Sequence, residues 1–172
     1  MLQRPIELTV LEDRSFRPRV LNATSGSPAS VSATAAAAVI ASERDAELFV
    51  VHVRPPEAMR VGRLAPTIVR GQRLRDPHAS VVLSAARQVA WANGAFARVM
   101  LMSGEPVPMI LSLADELAVE LIVIGASRSR WPAVLAARTR CRIQRDAPCP
   151  VRIVRLSAPA PAGEPVRTMP VT

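Results

Sequence analysis

The sequence predicts an α/β fold: a doubly wound five-stranded parallel sheet with helices on both faces. Three observations predict it. Apolar runs of strand length alternate with stretches of helical period, and strands separated by helices pair in parallel through right-handed crossovers. Hydrophobic residues make up 49% of the 172 residues but aromatics only 3%. The core is therefore built from Val, Leu, Ile and Ala, which suits helices packed on a parallel sheet. Finally, an apolar run at residues 121–124 ends in Gly125 before a loop and a helix. In doubly wound proteins such a loop borders the ligand crevice.

The elements follow in order. Residues 18–24 read as a first strand, and Ser25-Gly26-Ser27-Pro28 turns the chain. Ser27 caps a helix with Pro28 at its first position. The alanine-rich stretch to about Arg44 continues that helix. Residues 48–53 (Leu-Phe-Val-Val-His-Val) form a buried second strand. Residues 54–77 hold four prolines and no clear period; connections this long are usually functional or mobile. Ser80 starts a second helix, with Val82, Ala85, Ala86 and Val89 at helical spacing.

Residues 97–102 give the third strand, and Gly104-Glu105-Pro106 opens the third helix. Its inner face is Ile110, Leu113, Ala114 and Leu117, with Asp115 and Glu116 toward solvent. The fourth strand is 121–124. Pro132 opens a fourth helix running to about Arg145, and 151–155 is the fifth strand. Arg152 and Arg155 stand among apolar residues there, as suits an edge strand that must be covered or paired. A second copy is the obvious partner. The organisation is thus an N-terminal extension (1–17), one domain (18–156) and a Pro/Ala-rich tail (157–172) expected to be disordered.

The net charge is +8, and every basic residue is arginine. The choice of Arg over Lys reads either as base composition or as selection for fork-like anion recognition, and the placement is uneven. Between positions 121 and 155 eight arginines stand against one acid, Asp146; between 54 and 75 six stand against Glu57. Such clustering bears on association rather than fold. Arg138, Arg142 and Arg145 share one helix face. That face is either a solvated helix end, where cations are favoured, or a docking patch for an acidic or anionic surface. Arg128, Arg130 and Arg152 extend it. Trp131 is either a partner anchor or a plug for the adjacent crevice. Trp91 reads as a packing residue.

No apolar run reaches the roughly 18 residues of a membrane span, and the N-terminus lacks a signal-peptide layout, so a cytoplasmic location is expected. Cys141 and Cys149 lack metal-ligand or CxxC spacing and read as reduced packing residues. His52 reads as a satisfied core histidine and His78 as a turn residue in an unrelated context. No catalytic residue and no metal-ligand set is assigned. Few aromatics are present for base stacking, which argues against nucleic acid. Peripheral contact with an anionic membrane stays open.

Several segments together resemble the universal stress protein family over about residues 17–155. They are the 25–30 turn (Ser-Gly-Ser-Pro-Ala-Ser), the 46–53 strand, the 104–110 helix start, and the closing strands at 121–125 and 146–155. The resemblance implies a Rossmann-like, adenine nucleotide alpha hydrolase-like fold. Many members bind ATP through a Gly-x2-Gly-x9-Gly-(Ser/Thr) loop and an Asp after the first strand. Gly125 and Thr139 match that frame. Arg128 and Arg138 replace its other glycines, and Ser25 replaces its Asp. With Val53 at the end of the second strand, these residues form a degenerate nucleotide site.

Glycines in a phosphate loop let the backbone approach closely, and arginines at those positions fill the space. The expected function is therefore a non-catalytic module without family-type ATP binding. It acts as a homodimer through the fifth strand or as a subunit of a larger assembly. The alternatives are a nucleotide or anion sensor using Arg128 and Arg138 as charge-assisted phosphate ligands, and a basic nucleic-acid or membrane-surface binder.

Overall fold

The computed structural model describes residues 17–54, 76–126 and 133–156, with backbone only for 133–136. The extension before 17, the 55–75 connection and the tail after 156 lie outside the described residues. So do Arg128, Arg130 and Trp131.

The strands are β1 (Arg19–Ala23), β2 (Glu47–Arg54), β3 (Ala97–Ser103), β4 (Leu121–Ala126) and β5 (Val151–Arg155). The helices are α1 (Pro28–Glu43), α2 (Pro77–Ala92), α3 (Pro106–Glu116) and α4 (Ala133–Asp146). The sheet has the order β3-β2-β1-β4-β5, and every pairing is parallel. The predicted fold class holds, with β5 at one edge.

Alternation along the strands divides the core. Val20, Leu48, Val50, Leu121 and Val123 pack with α1 and α2. Leu21, Phe49, Val51, Ile122 and Ile124 pack with α3 and with Ile143 of α4. Both faces are covered, which is why β4 reads as an unbroken apolar run and β2 as one interrupted only by His52 between Leu48 and Val53.

Small side chains set the depth of α1. Ala29, Ala33, Ala37, Ala38 and Ala41 are all buried, so its backbone lies close to the sheet. One polar group is built into that contact. Asn22, fully buried on β1, donates from Nδ2 to Val123 O at 3.0 Å. Thr34 on α1 donates to Asn22 Oδ1 at 2.7 Å. Both hydrogen-bonding ends of the amide are thereby satisfied, as burial requires.

The helix ends show where local signals succeed and fail. Ser27 caps α1, its side chain accepting from Ser30 N at 3.3 Å, as the sequence indicates. α2 begins at Pro77 rather than Ser80. Asp76 is the cap, accepting from His78 N at 3.0 Å and Ala79 N at 3.2 Å, and Pro77 takes the first helical position. The three-residue shift places His78 in the first turn of α2, not in a loop turn. It also changes the inner face to Ala79, Val82, Leu83, Ala86 and Ala90. Ala85 is exposed and Val89 half-buried. On α3, Ile110, Leu113 and Ala114 are buried as expected, while Leu117 is the half-buried C-cap residue.

Candidate functional site: a cleft at the switch point of the sheet

β1 connects to β2 on one side and lies beside β4 on the other, so the strand order reverses at β1. Crevices form at such a point, outside the carboxyl ends of the strands. A cleft of about 510 Å³ opens there. The ends of β1 (Ala23, Thr24), β2 (Val51, Val53) and β4 (Ile124, Gly125) form its floor. Pro106 and Ile110 of α3, with Thr139, Arg140 and Ile143 of α4, form its walls.

The turn after β1 is held by hydroxyls. Thr24 N donates to Val51 O at 2.9 Å, carrying the strand pairing one residue beyond β1. The Thr24 hydroxyl donates to Ser30 Oγ at 3.3 Å, and Ser30 Oγ donates to Ser27 O at 2.7 Å. Ser25, exposed at the rim, donates to Ser27 Oγ at 3.1 Å. Gly26 turns the chain with φ 80°. A Cβ there would stand 2.7 Å from Val82 Cγ2, so both conformation and space call for glycine.

The helical phase of α4 sorts its arginines. Ile143, 1% exposed, anchors the helix to the sheet. Thr139, one turn before it, and Arg140 share that side and line the cleft. Arg138, Arg142 and Arg145 are exposed on the outer face, where the sequence pattern groups them. Arg138 is therefore not among the cleft residues, and the half-buried Arg140 is. The outer face is also less positive than it reads. Arg142 pairs with Glu105 at 2.8 Å and Arg145 with Asp146 at 2.7 Å. Arg138, Arg140, Arg152 and Arg155 have no ion pair among the described residues.

A second polar group sits behind the floor. His52 is buried, and its Nδ1 lies 2.9 Å from Thr24 O. A carbonyl only accepts, so Nδ1 carries the proton. The core-histidine reading holds. The two histidines are nonetheless neighbours, with ring centroids 6.1 Å apart. Arg54 pairs with Asp76 at 3.2 Å beside them. The backbone N–H of Ala79 holds the Asp76 carboxyl below its ordinary value of 3.8, aided by Arg54 and the His78 N–H against partial burial. Among the described residues no three His, Cys, Asp or Glu side chains gather to hold a metal ion. No described helix is long and apolar enough to cross a membrane.

At the opposite end of the sheet, Trp91 is 64% and Phe96 81% exposed, edge to face at 4.7 Å. Trp91 is thus a surface residue rather than part of the core, because it lies off the buried face of α2 formed by Ala79, Val82, Leu83, Ala86 and Ala90. The nearby pocket of about 440 Å³ includes Arg17, Glu47, Phe96 and Arg98. Its arginines are paired: Arg17 with Asp45, and Arg98 with Glu47.

The fold and cleft define a class: doubly wound parallel α/β domains with a ligand crevice at the switch point. The universal stress protein family model matches residues 17–155, and the chain belongs to that family. The universal stress protein YxiE of Bacillus subtilis (strain 168) is 29% identical over 145 residues, covering 80% of this chain and 98% of the relative. A universal stress protein solved in complex with cAMP superposes with TM-score 0.62 at 24% identity, over 82% of this chain and 98% of that one. The universal stress protein from Archaeoglobus fulgidus in complex with dAMP gives TM-score 0.59 at 23% identity, over 81% and 98%.

Proposed function

We propose that this chain is a non-catalytic, cytoplasmic universal stress protein module that no longer binds ATP in the family manner and acts by association with protein. One observation carries the reading. The cleft is retained, but none of its described lining residues is an acid, and the described turn hydroxyls already donate to one another or to backbone. Thr24, Ser25 and Ser30 bond within the turn, and Thr139 has an interaction of its own. Ser25 stands where the resemblance places a carboxylate.

The glycine retained from the motif has a packing reason independent of any phosphate. A Cβ on Gly125 would fall against the carbonyl of Ala29 and 2.7 Å from Ser30 N. Its match to the motif is therefore weak support for nucleotide binding.

Association follows from the sheet edge. β5 alternates half-buried Val151, Ile153 and Val154 with exposed Arg152 and Arg155. Its outer edge has no strand partner among the described residues, and a free edge is a template for pairing. A second copy supplies one, giving a homodimer. The unpaired Arg138, Arg152 and Arg155 favour an acidic or anionic surface in any larger assembly.

Calorimetry with ATP and sedimentation over micromolar concentrations test the reading. It expects no ATP heat at millimolar nucleotide and a dimer. Tight stoichiometric ATP binding abolished by Ser25→Ala would overturn the first half, and a monomer throughout the second. A second reading, an anion sensor, is favoured by Arg140, the unpaired guanidinium on the cleft wall.

A further inference from the structure

We infer that the cleft takes an amphiphilic monoanion: a hydrocarbon body with one anionic head, held by Arg140. The inference rests on the loss of family-type ATP binding and names what replaces it.

Arg140 is half-buried on the wall of a crevice whose other walls are mostly apolar: Val51, Val53, Pro106, Ile110 and Ile143. It has no ion pair or hydrogen bond among the described residues. Its neighbour Arg142 takes Glu105, the acid at the start of α3, at 2.8 Å. That acid is therefore committed to the outer face. A guanidinium beside apolar walls attracts more strongly than one in water, because the local dielectric is lower. Its planar fork matches a carboxylate or a similar head group in two parallel hydrogen bonds.

The rest of the lining selects the body. Among the described lining residues, the hydroxyls of Thr24, Ser25 and Ser30 donate within the turn, and Thr139 has an interaction of its own. Among the described residues, a ribose or a base edge in this cleft faces Val51, Val53, Ile110 and Ile124, with Arg140 as its unpaired side-chain donor. Polar ligand groups left unpaired on burial lose affinity, whereas methylene groups in the same place gain it. The volume of about 510 Å³ falls within the range of small-molecule sites and leaves room for a medium-length chain.

Decanoate is the probe. Calorimetry and thermal unfolding are run with decanoate, AMP and ATP on the full chain, on Arg140→Gln and on Arg138→Gln. The expected result is a rise in melting temperature with decanoate. Arg140→Gln weakens its binding at least tenfold, and Arg138→Gln, on the outer face, leaves it within twofold. Amide shifts from decanoate then concentrate at Thr24, Gly125 and Ile143. The inference is overturned if decanoate does not bind, if both arginine variants weaken it equally, or if AMP binds tighter than decanoate. Failure of decanoate with ATP also silent overturns this inference and leaves the loss of ATP binding standing. ATP binding at the cleft overturns both.

Discussion

Gly125 and Ala29 fix the distance between β4 and α1. The glycine faces the Ala29 carbonyl so closely that a Cβ would stand 2.7 Å from the next backbone nitrogen, Ser30 N. Backbone cannot rotate aside as a flexible side chain does. Gly125→Ala must therefore push α1 off a sheet it touches through alanines. Overpacking of this kind costs about 1–3 kcal/mol and occasionally more. Urea unfolding of the variant should show a lowered midpoint. An unchanged midpoint would mean that α1 tolerates the shift and that the glycine is retained for another reason.

Thr34 and Asn22 form the buried polar bridge between α1 and β1, at 2.7 Å. Thr34→Val keeps the shape but leaves Asn22 Oδ1 without its donor. The expected loss is about 1–3 kcal/mol. Asn22→Leu in the same background should recover part of it, since the amide is then no longer buried unpaired. A double-mutant cycle by chemical denaturation measures that coupling. Independent, additive losses would show that the bond contributes little.

Asp76 makes the stability of α2 depend on acid. Its carboxyl is held below the ordinary 3.8, chiefly by the Ala79 N–H. A group depressed on folding stabilises the protein while it is ionised. That contribution is complete above 3.8 and is lost as pH falls through the lowered folded value. Thermal unfolding of Asp76→Asn, which keeps a capping oxygen but removes the charge, should give a lower melting temperature than the parent at neutral pH. The gap should close as the pH drops below that range. A constant gap from neutral pH into strong acid would contradict the assignment.

Much of this fold is legible in the sequence because the punctuation is strong. Ser27-Pro28 marks the start of α1, and the apolar run at 151–155, broken by two arginines, is β5 residue for residue. The start of α2 is harder to read because Asp76 and Ser80 are both good caps. Pro77 at the first helical position distinguishes them, and an unpatterned segment precedes it. The cleft arginine illustrates a different difficulty. Motif spacing points to Arg138, whereas helical phase, marked by the deeply buried Ile143, brings Arg140 to the wall. That phase was readable from one isoleucine in an arginine-rich run. The meeting of His52 with His78 was not, since it depends on how α2 crosses the end of β2.

The two cysteines should differ sharply in reactivity. Cys141 is exposed on α4, while Cys149 is partly covered where the chain enters β5. Burial pushes the Cys149 thiol above its ordinary 9.0, outweighing a backbone hydrogen bond with Ile122 that works the other way. Since the thiolate is the reacting form, a raised value lowers the reactive fraction at neutral pH, and partial burial hinders access further. A chromogenic disulfide reagent at pH 7.5 should therefore label the native protein in two phases. Cys141→Ser should remove the fast phase, and Cys149→Ser the slow one. In denaturant the two thiols should react alike. If Cys149 proves to be the fast thiol in the native state, the covering of the α4–β5 connection is looser than the structure describes.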